Sequence, residues 1–253
     1  VFGNALVMRQ GILFAFGSDK TVYKWRKETK SFVEAAPAQT SIGVATEASS
    51  EENRVVFLDD RPGVSIFDAD KGSTSMTSLA PASGIQWTDI VVYADKLYLL
   101  EPNSKDRVGT IMRLVKNDNI FTNASSWIRS KTTDFADVVS FTVYGTIFVL
   151  KPNGTVSRFV SGSEVGWTMD RVDPPITQAT DIWTSPDSTY LYILEPAQKR
   201  LMVLDKETGA FIVQYRSDAF TDLSDFIVDE PANAIYLLAG SKLYTIAASH
   251  VKR

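Results

Sequence analysis

The chain contains no cysteine and one histidine, His250. Thiol nucleophiles, Cys or His zinc sites and Ser-His-Asp arrangements all need side chains that are missing. No apolar run approaches the length of a membrane span, and Val1-Phe2-Gly3-Asn4 lacks the charged start and apolar block of a signal peptide. A basic excess is lacking too: 26 Lys and Arg stand against 30 Asp and Glu, a formal net charge of −4. That balance argues against tracking a phosphate backbone, so no nucleic-acid partner is expected. The cluster Lys24-Trp25-Arg26-Lys27 reads as the solvated end of a hairpin. With 253 residues the chain can bury a large core without crosslinks. It does not begin with Met, so the expectation is a single domain over residues 1–253 cut from a longer protein.

What the sequence does have is a repeat. Six apolar runs recur: Ile12 to Ala15, Val55 to Leu58, Leu97 to Leu100, Ile147 to Leu150, Leu191 to Leu194 and Ile235 to Leu238. Their first members are 43, 42, 50, 44 and 44 residues apart. Each run is short, rich in β-branched or aromatic residues and followed by turn residues such as Glu101-Pro102-Asn103, Lys151-Pro152-Asn153-Gly154 or Glu195-Pro196. Such runs read as strands buried on both faces. A second strand follows each turn, and a further one precedes each run, opened by Asp89, Asp137, Asp181 and Asp225, with Asn4 and Ile42 in the corresponding places of the first two repeats. Four strands per repeat of 40 to 50 residues predict an all-β, six-bladed β-propeller with four-stranded antiparallel blades around a central channel. The sixth repeat stops after its third strand. Its last blade is therefore expected to be incomplete, or to be closed by upstream residues or by Ala247 to Arg253, because an unpaired strand edge is a liability.

Two stretches carry a family resemblance. Ser185-Pro186-Asp187-Ser188-Thr189-Tyr190 resembles the inner turn of surface-layer and TolB-type propeller repeats, and Val228-Asp229-Glu230-Pro231-Ala232-Asn233 is similar to the NHL repeat. Both families are six-bladed, and the resemblance extends over nearly the whole chain. It implies architecture more than activity, since propellers host enzymes, sensors and scaffolds alike.

Candidate site residues follow from the topology. The innermost strand starts at one mouth of the channel, which puts Asn4, Asp89, Asp137, Asp181 and Asp225 on an inner ring and Asp59, Glu101, Lys151 and Glu195 on surrounding turns. Two carboxylates about 8 Å apart at an effective dielectric near 20 repel by roughly 2 kcal/mol. A calcium ion, raised carboxyl pKa values, backbone N–H donors or a cationic ligand would offset this. The plainer reading is that an Asp repeated in each blade accepts amide hydrogen bonds and holds the blade in register. Trp127, Trp167 and Trp183 read as wedge filler between sheets, and Trp87, two residues before Asp89, as the exposed aromatic of the set.

The leading expectation is a non-catalytic module binding a protein or small molecule at its channel-mouth face, in the manner of extracytoplasmic sensors or cell-surface proteins, with no membrane contact of its own. The alternatives are a hydrolase resembling the calcium lactonases and gluconolactonases, and an assembly scaffold.

Overall fold

The computed structural model describes residues 3–38, 40, 42–51, 54–77, 85–103, 108–118, 120–129 and 133–251. Six antiparallel sheets follow one another along the chain, five of four strands and a last one of three. The central strands are the six apolar runs, and they are buried almost without interruption: Val55, Val56 and Phe57 in the second blade and Leu191 to Leu194 in the fifth are fully inaccessible. A strand with a sheet neighbour on each side and a blade packed on each face has no solvent side, so it carries no alternation. Among the described residues the only helical turn is Pro196–Gln198, and no helix is long and apolar enough to cross a membrane.

The inner strands are Gly3–Arg9, Ala45–Ser50, Asp89–Tyr93, Ser140–Val143, Asp181–Trp183 and Leu223–Asp229. They line a common axis, and the first contacts the last. The ring is closed there by the backbone N–H of Gly3 on the carbonyl of Gly240 at 2.9 Å. Blades stack through apolar clusters that each draw on two neighbouring sheets, such as Phe14, Phe16, Phe57 and Phe67 between blades one and two. Three aromatic contacts among these rings lie at centroid distances of 4.8 to 6.3 Å.

A second device wedges the blades apart at a fixed spacing. Each connector from an outer strand to the next inner strand buries one large apolar side chain: Ile42, Ile85, Phe135, Ile176 or Phe220, all under 9% exposed. Ile42 therefore serves as such a plug and does not open an inner strand, as its place in the repeat had suggested. Among the described residues, Gly3, Ala15, Tyr23, Phe32 and Leu238, with others, line an apolar cavity of about 190 Å³ in the wedge between blades six and one.

The sixth blade ends on Lys242–Ala247 with no fourth strand among the described residues. Residues 248 to 251 do not fold back as that strand. They form a turn, Val251 N–H donating to Ala248 O at 3.0 Å, anchored by Ala248 N–H on Asn233 O at 3.1 Å. His250 is clamped by tyrosines of blade five: Tyr192 Oη lies 2.8 Å from Nε2, Tyr215 Oη 2.8 Å from Nδ1, and Tyr190 Oη donates to the His250 carbonyl at 2.9 Å. Burial lowers the His250 pKa, so the ring is neutral at pH 7 and serves as a staple for the tail.

Candidate functional site: an acidic central channel

The inner ring is set by strand register. In five blades the residue opposite the end of the central apolar run faces the axis: Glu47 opposite Leu58, Asp89 opposite Leu100, Ser140 opposite Leu150, Asp181 opposite Leu194 and Asp225 opposite Leu238. Blades one, two and six share a bulge just before this position, between Gly3 and Ala5, Ala45 and Glu47, and Leu223 and Asp225. The bulge makes Ala5 the equivalent residue of blade one. Of the residues expected from sequence, the structure thus brings together Asp89, Asp181 and Asp225. Asn4 sits on the bulge itself. Asp137 lies three residues ahead of its ring position, exposed, with φ +60 in the turn leading into Ser140. Glu47 completes the acidic set.

Ring side chains also lace successive blades. Asp89 Oδ2 accepts from Phe141 N–H at 2.8 Å, Ser140 Oγ accepts from Ile182 N–H at 3.3 Å, and Asp225 Oδ2 accepts from Leu6 N–H at 2.5 Å. Each donor lies one residue past the ring position of the following blade. The other oxygen of Asp89 and of Asp225 accepts from its own neighbour, Ile90 or Phe226, both at 2.6 Å. Asp89 and Asp225 therefore hold blade register, Asp225 across the closure from blade six to blade one.

Glu47, Asp89, Asp181 and Asp225 line one cavity of about 390 Å³ along the axis, bounded toward its far end by Met8, Ser50, Tyr93, Ser185 and Pro186. Four carboxylates face it, and no Lys, Arg or His is among its described lining residues. The electrostatic consequence is visible in every acid. Burial, then the Asp181 charge, pushes the Asp89 carboxyl up to about 7 against its amide and Ser140 hydrogen bonds. Burial and the charges of Asp89, Asp181 and Asp225 raise Glu47 well above the carboxylate range. Asp225 is raised by burial and by Asp181, and Asp181 by burial, with Ser140 Oγ donating to its Oδ1 at 2.8 Å.

The second tier of expected residues stands apart from this cavity. Glu195 is fully buried and accepts from Thr177 N–H at 2.7 Å, Gln178 N–H at 3.1 Å and Arg200 Nε at 2.8 Å. Burial raises its pKa, but these donors outweigh it and hold the carboxyl below its ordinary range. Asp59 likewise gathers Gly43 N–H, Arg61 and Ser65. Glu101 is buried at the end of its central strand, and Lys151 ion-pairs with Asp134 at 3.1 Å. Trp87 is half-buried against the cluster of Val56, Leu58 and Leu97.

Calcium needs six to eight oxygens. Asp89 and Asp225 already direct both oxygens to amides, and among the described residues no three acidic or imidazole groups are arranged to share an ion. Ser140 Oγ donates to Asp181 Oδ1 at 2.8 Å and accepts from Ile182 N–H at 3.3 Å.

Fold and lumen together define the class, a six-bladed β-propeller with an acidic axial cavity. No known family profile matches the sequence, and no curated protein matches it significantly. Solved structures do. A gluconolactonase from Xanthomonas campestris superimposes with a TM-score of 0.73 at 13% identity, over 97% of this chain and 86% of that one. A chain of a nidogen–laminin complex gives 0.64 at 9%, over 86% and 81%. The computationally designed protein Ika8 gives 0.53 at 13%, over 97% and 70%. At these identities the likeness is one of fold.

Proposed function

We propose that this propeller is a non-catalytic binding module whose axial cavity takes a small organic cation, serving as the ligand-reading part of a larger receptor or cell-surface protein. The observation that carries this reading is the lumen itself, four mutually repelling carboxylates around a cavity with no basic side chain in its described lining. An ammonium group entering there relieves the repulsion and offers donors to carboxylate lone pairs that the blade-to-blade hydrogen bonds leave free. The cavity volume is within the range of small-molecule sites.

Thermal melting at pH 8 with 1,4-diaminobutane, its N-acetylated form and calcium tests the proposal. Saturation near one hundred times Kd corresponds to about 2.7 kcal/mol, or roughly 5–10 °C in midpoint. The diamine is expected to give such a rise and its acetylated form less, with Glu47→Gln weakening the response. The response should also shrink at pH 5, where Asp89, held at about 7, is protonated. No response to either amine overturns the proposal. A rise with calcium alone, together with calcium-dependent lactone hydrolysis, favours instead the hydrolase reading that the gluconolactonase likeness suggests.

A further inference from the structure

The arginines of this chain are unequally provided for. Six are at least half-buried among the described residues: Arg9, Arg54, Arg61, Arg113, Arg158 and Arg200. Five of them ion-pair with a carboxylate, Asp70, Glu51, Asp59, Glu207 and Glu195 in turn. The Arg113 side chain has no ion pair or hydrogen bond to any described residue, and its Nε is buried without a partner. Its guanidinium charge lies near the Tyr98 hydroxyl. A half-buried guanidinium without a counterion is unfavourable, all the more notable in a protein where acids outnumber bases.

Arg113 lines a cavity of about 320 Å³ on the outer rim between blades three and four, with Arg129, Trp127, Ser126, Ser161 and Gly145. No carboxylate is among these residues. The floor is built. Trp127 N–H donates to Ile111 O and Arg129 N–H to Gly162 O, both at 2.8 Å, which fixes the segment from 127 to 129 across the two blades. Gly162, with φ +83, packs so tightly that an added Cβ would stand 2.5 Å from Trp127 O and 2.8 Å from Arg129 Cγ. A bulge between Arg113 and Val115 sets the strand against Ser125.

We infer that this rim cavity is a binding site for an organic oxyanion, a carboxylate or phosphate carried on a planar or apolar-faced group. The two guanidinium groups supply the charge and the forked donors that such oxyanions fit, and the Trp127 ring supplies a wall for the attached group. This site is separate from the axial cavity and independent of what that cavity binds.

Calorimetric titration with phenyl phosphate, benzoate and inorganic phosphate tests it. Phenyl phosphate or benzoate is expected to bind at least 3-fold more tightly than inorganic phosphate, and the order of those two identifies the anion. Arg113→Met, which keeps the volume and removes the unpaired charge, is expected to weaken binding at least 10-fold. Arg129→Gln, an exposed change that leaves the fold intact, should weaken it several-fold, and Glu47→Gln in the channel not at all. Absence of binding by all three probes, or unchanged binding in both arginine variants, overturns the inference. Equal affinity for all three probes removes the role of Trp127 and overturns it in the form stated.

Discussion

Replacing Glu195 with alanine is expected to lower stability by about 3–5 kcal/mol, the usual penalty for removing one partner of a buried ion pair. Glu195 and Arg200 are both fully buried, with Oε2 2.7 Å from Nη2. Arg200 would keep Gln214 Oε1 and Pro174 O but lose its countercharge, while Thr177 and Gln178 lose their acceptor. The double change Glu195→Leu with Arg200→Met should recover most of the loss, because an apolar pair of similar volume removes both desolvation penalties. Asp134→Ala, which breaks an ion pair to Lys151 on a largely exposed carboxylate, should leave the unfolding midpoint close to that of the parent. Urea unfolding of the four proteins checks the set; a Glu195→Ala loss under 1 kcal/mol would contradict the role given to this pair.

Phe135→Ala is expected to cost about 3–5 kcal/mol as well, through a different mechanism. The ring is 1% exposed, lies 6.3 Å from Phe159 and packs with Leu100 and Val149, so it touches both sheets it separates. Truncation leaves a cavity that two rigid sheets cannot collapse to fill. Equilibrium unfolding should show the loss with an unchanged denaturant slope. A change below 1 kcal/mol would mean that the connectors do not set blade spacing.

The blades were legible in the sequence because their central strands have no solvent face, so each appears as a continuous apolar run such as Val55 to Leu58. The ring was legible only where Asp marked it. Ser140 and Ala5 hold the same backbone position without a carboxylate, and Glu47 lies five residues past the plug Ile42, which had stood in its place. Asp137 imitates the pattern in composition but occupies a turn. Register against the central strand resolves all of these, and register depends on bulges that no residue type announces. The tail is a similar case: His250 was conspicuous as the lone histidine, yet its partners Tyr190, Tyr192 and Tyr215 lie 35 to 60 residues away. The unpaired Arg113 was invisible for the same reason, since an ion pair that is missing leaves no mark on a sequence.

The shared acidic lumen is tested most directly by the thermal midpoint as a function of pH. A carboxyl whose pKa is raised on folding stabilises the protein below its unfolded pKa of about 4, and that contribution is lost as pH climbs through the folded value, about 7 for Asp89. Glu51, Asp59 and Glu195, whose pKa values are lowered, act only at acid pH, and His250 opposes the trend below about pH 6.5. Between pH 6.5 and 8.5 the midpoint should therefore fall. Glu47→Gln should flatten that slope and raise the midpoint at pH 8.5 by roughly 2–8 °C, on the order of 1–2 kcal/mol. A midpoint that is level or rising over this range, with no gain from Glu47→Gln, would show that the four carboxylates do not share one cavity.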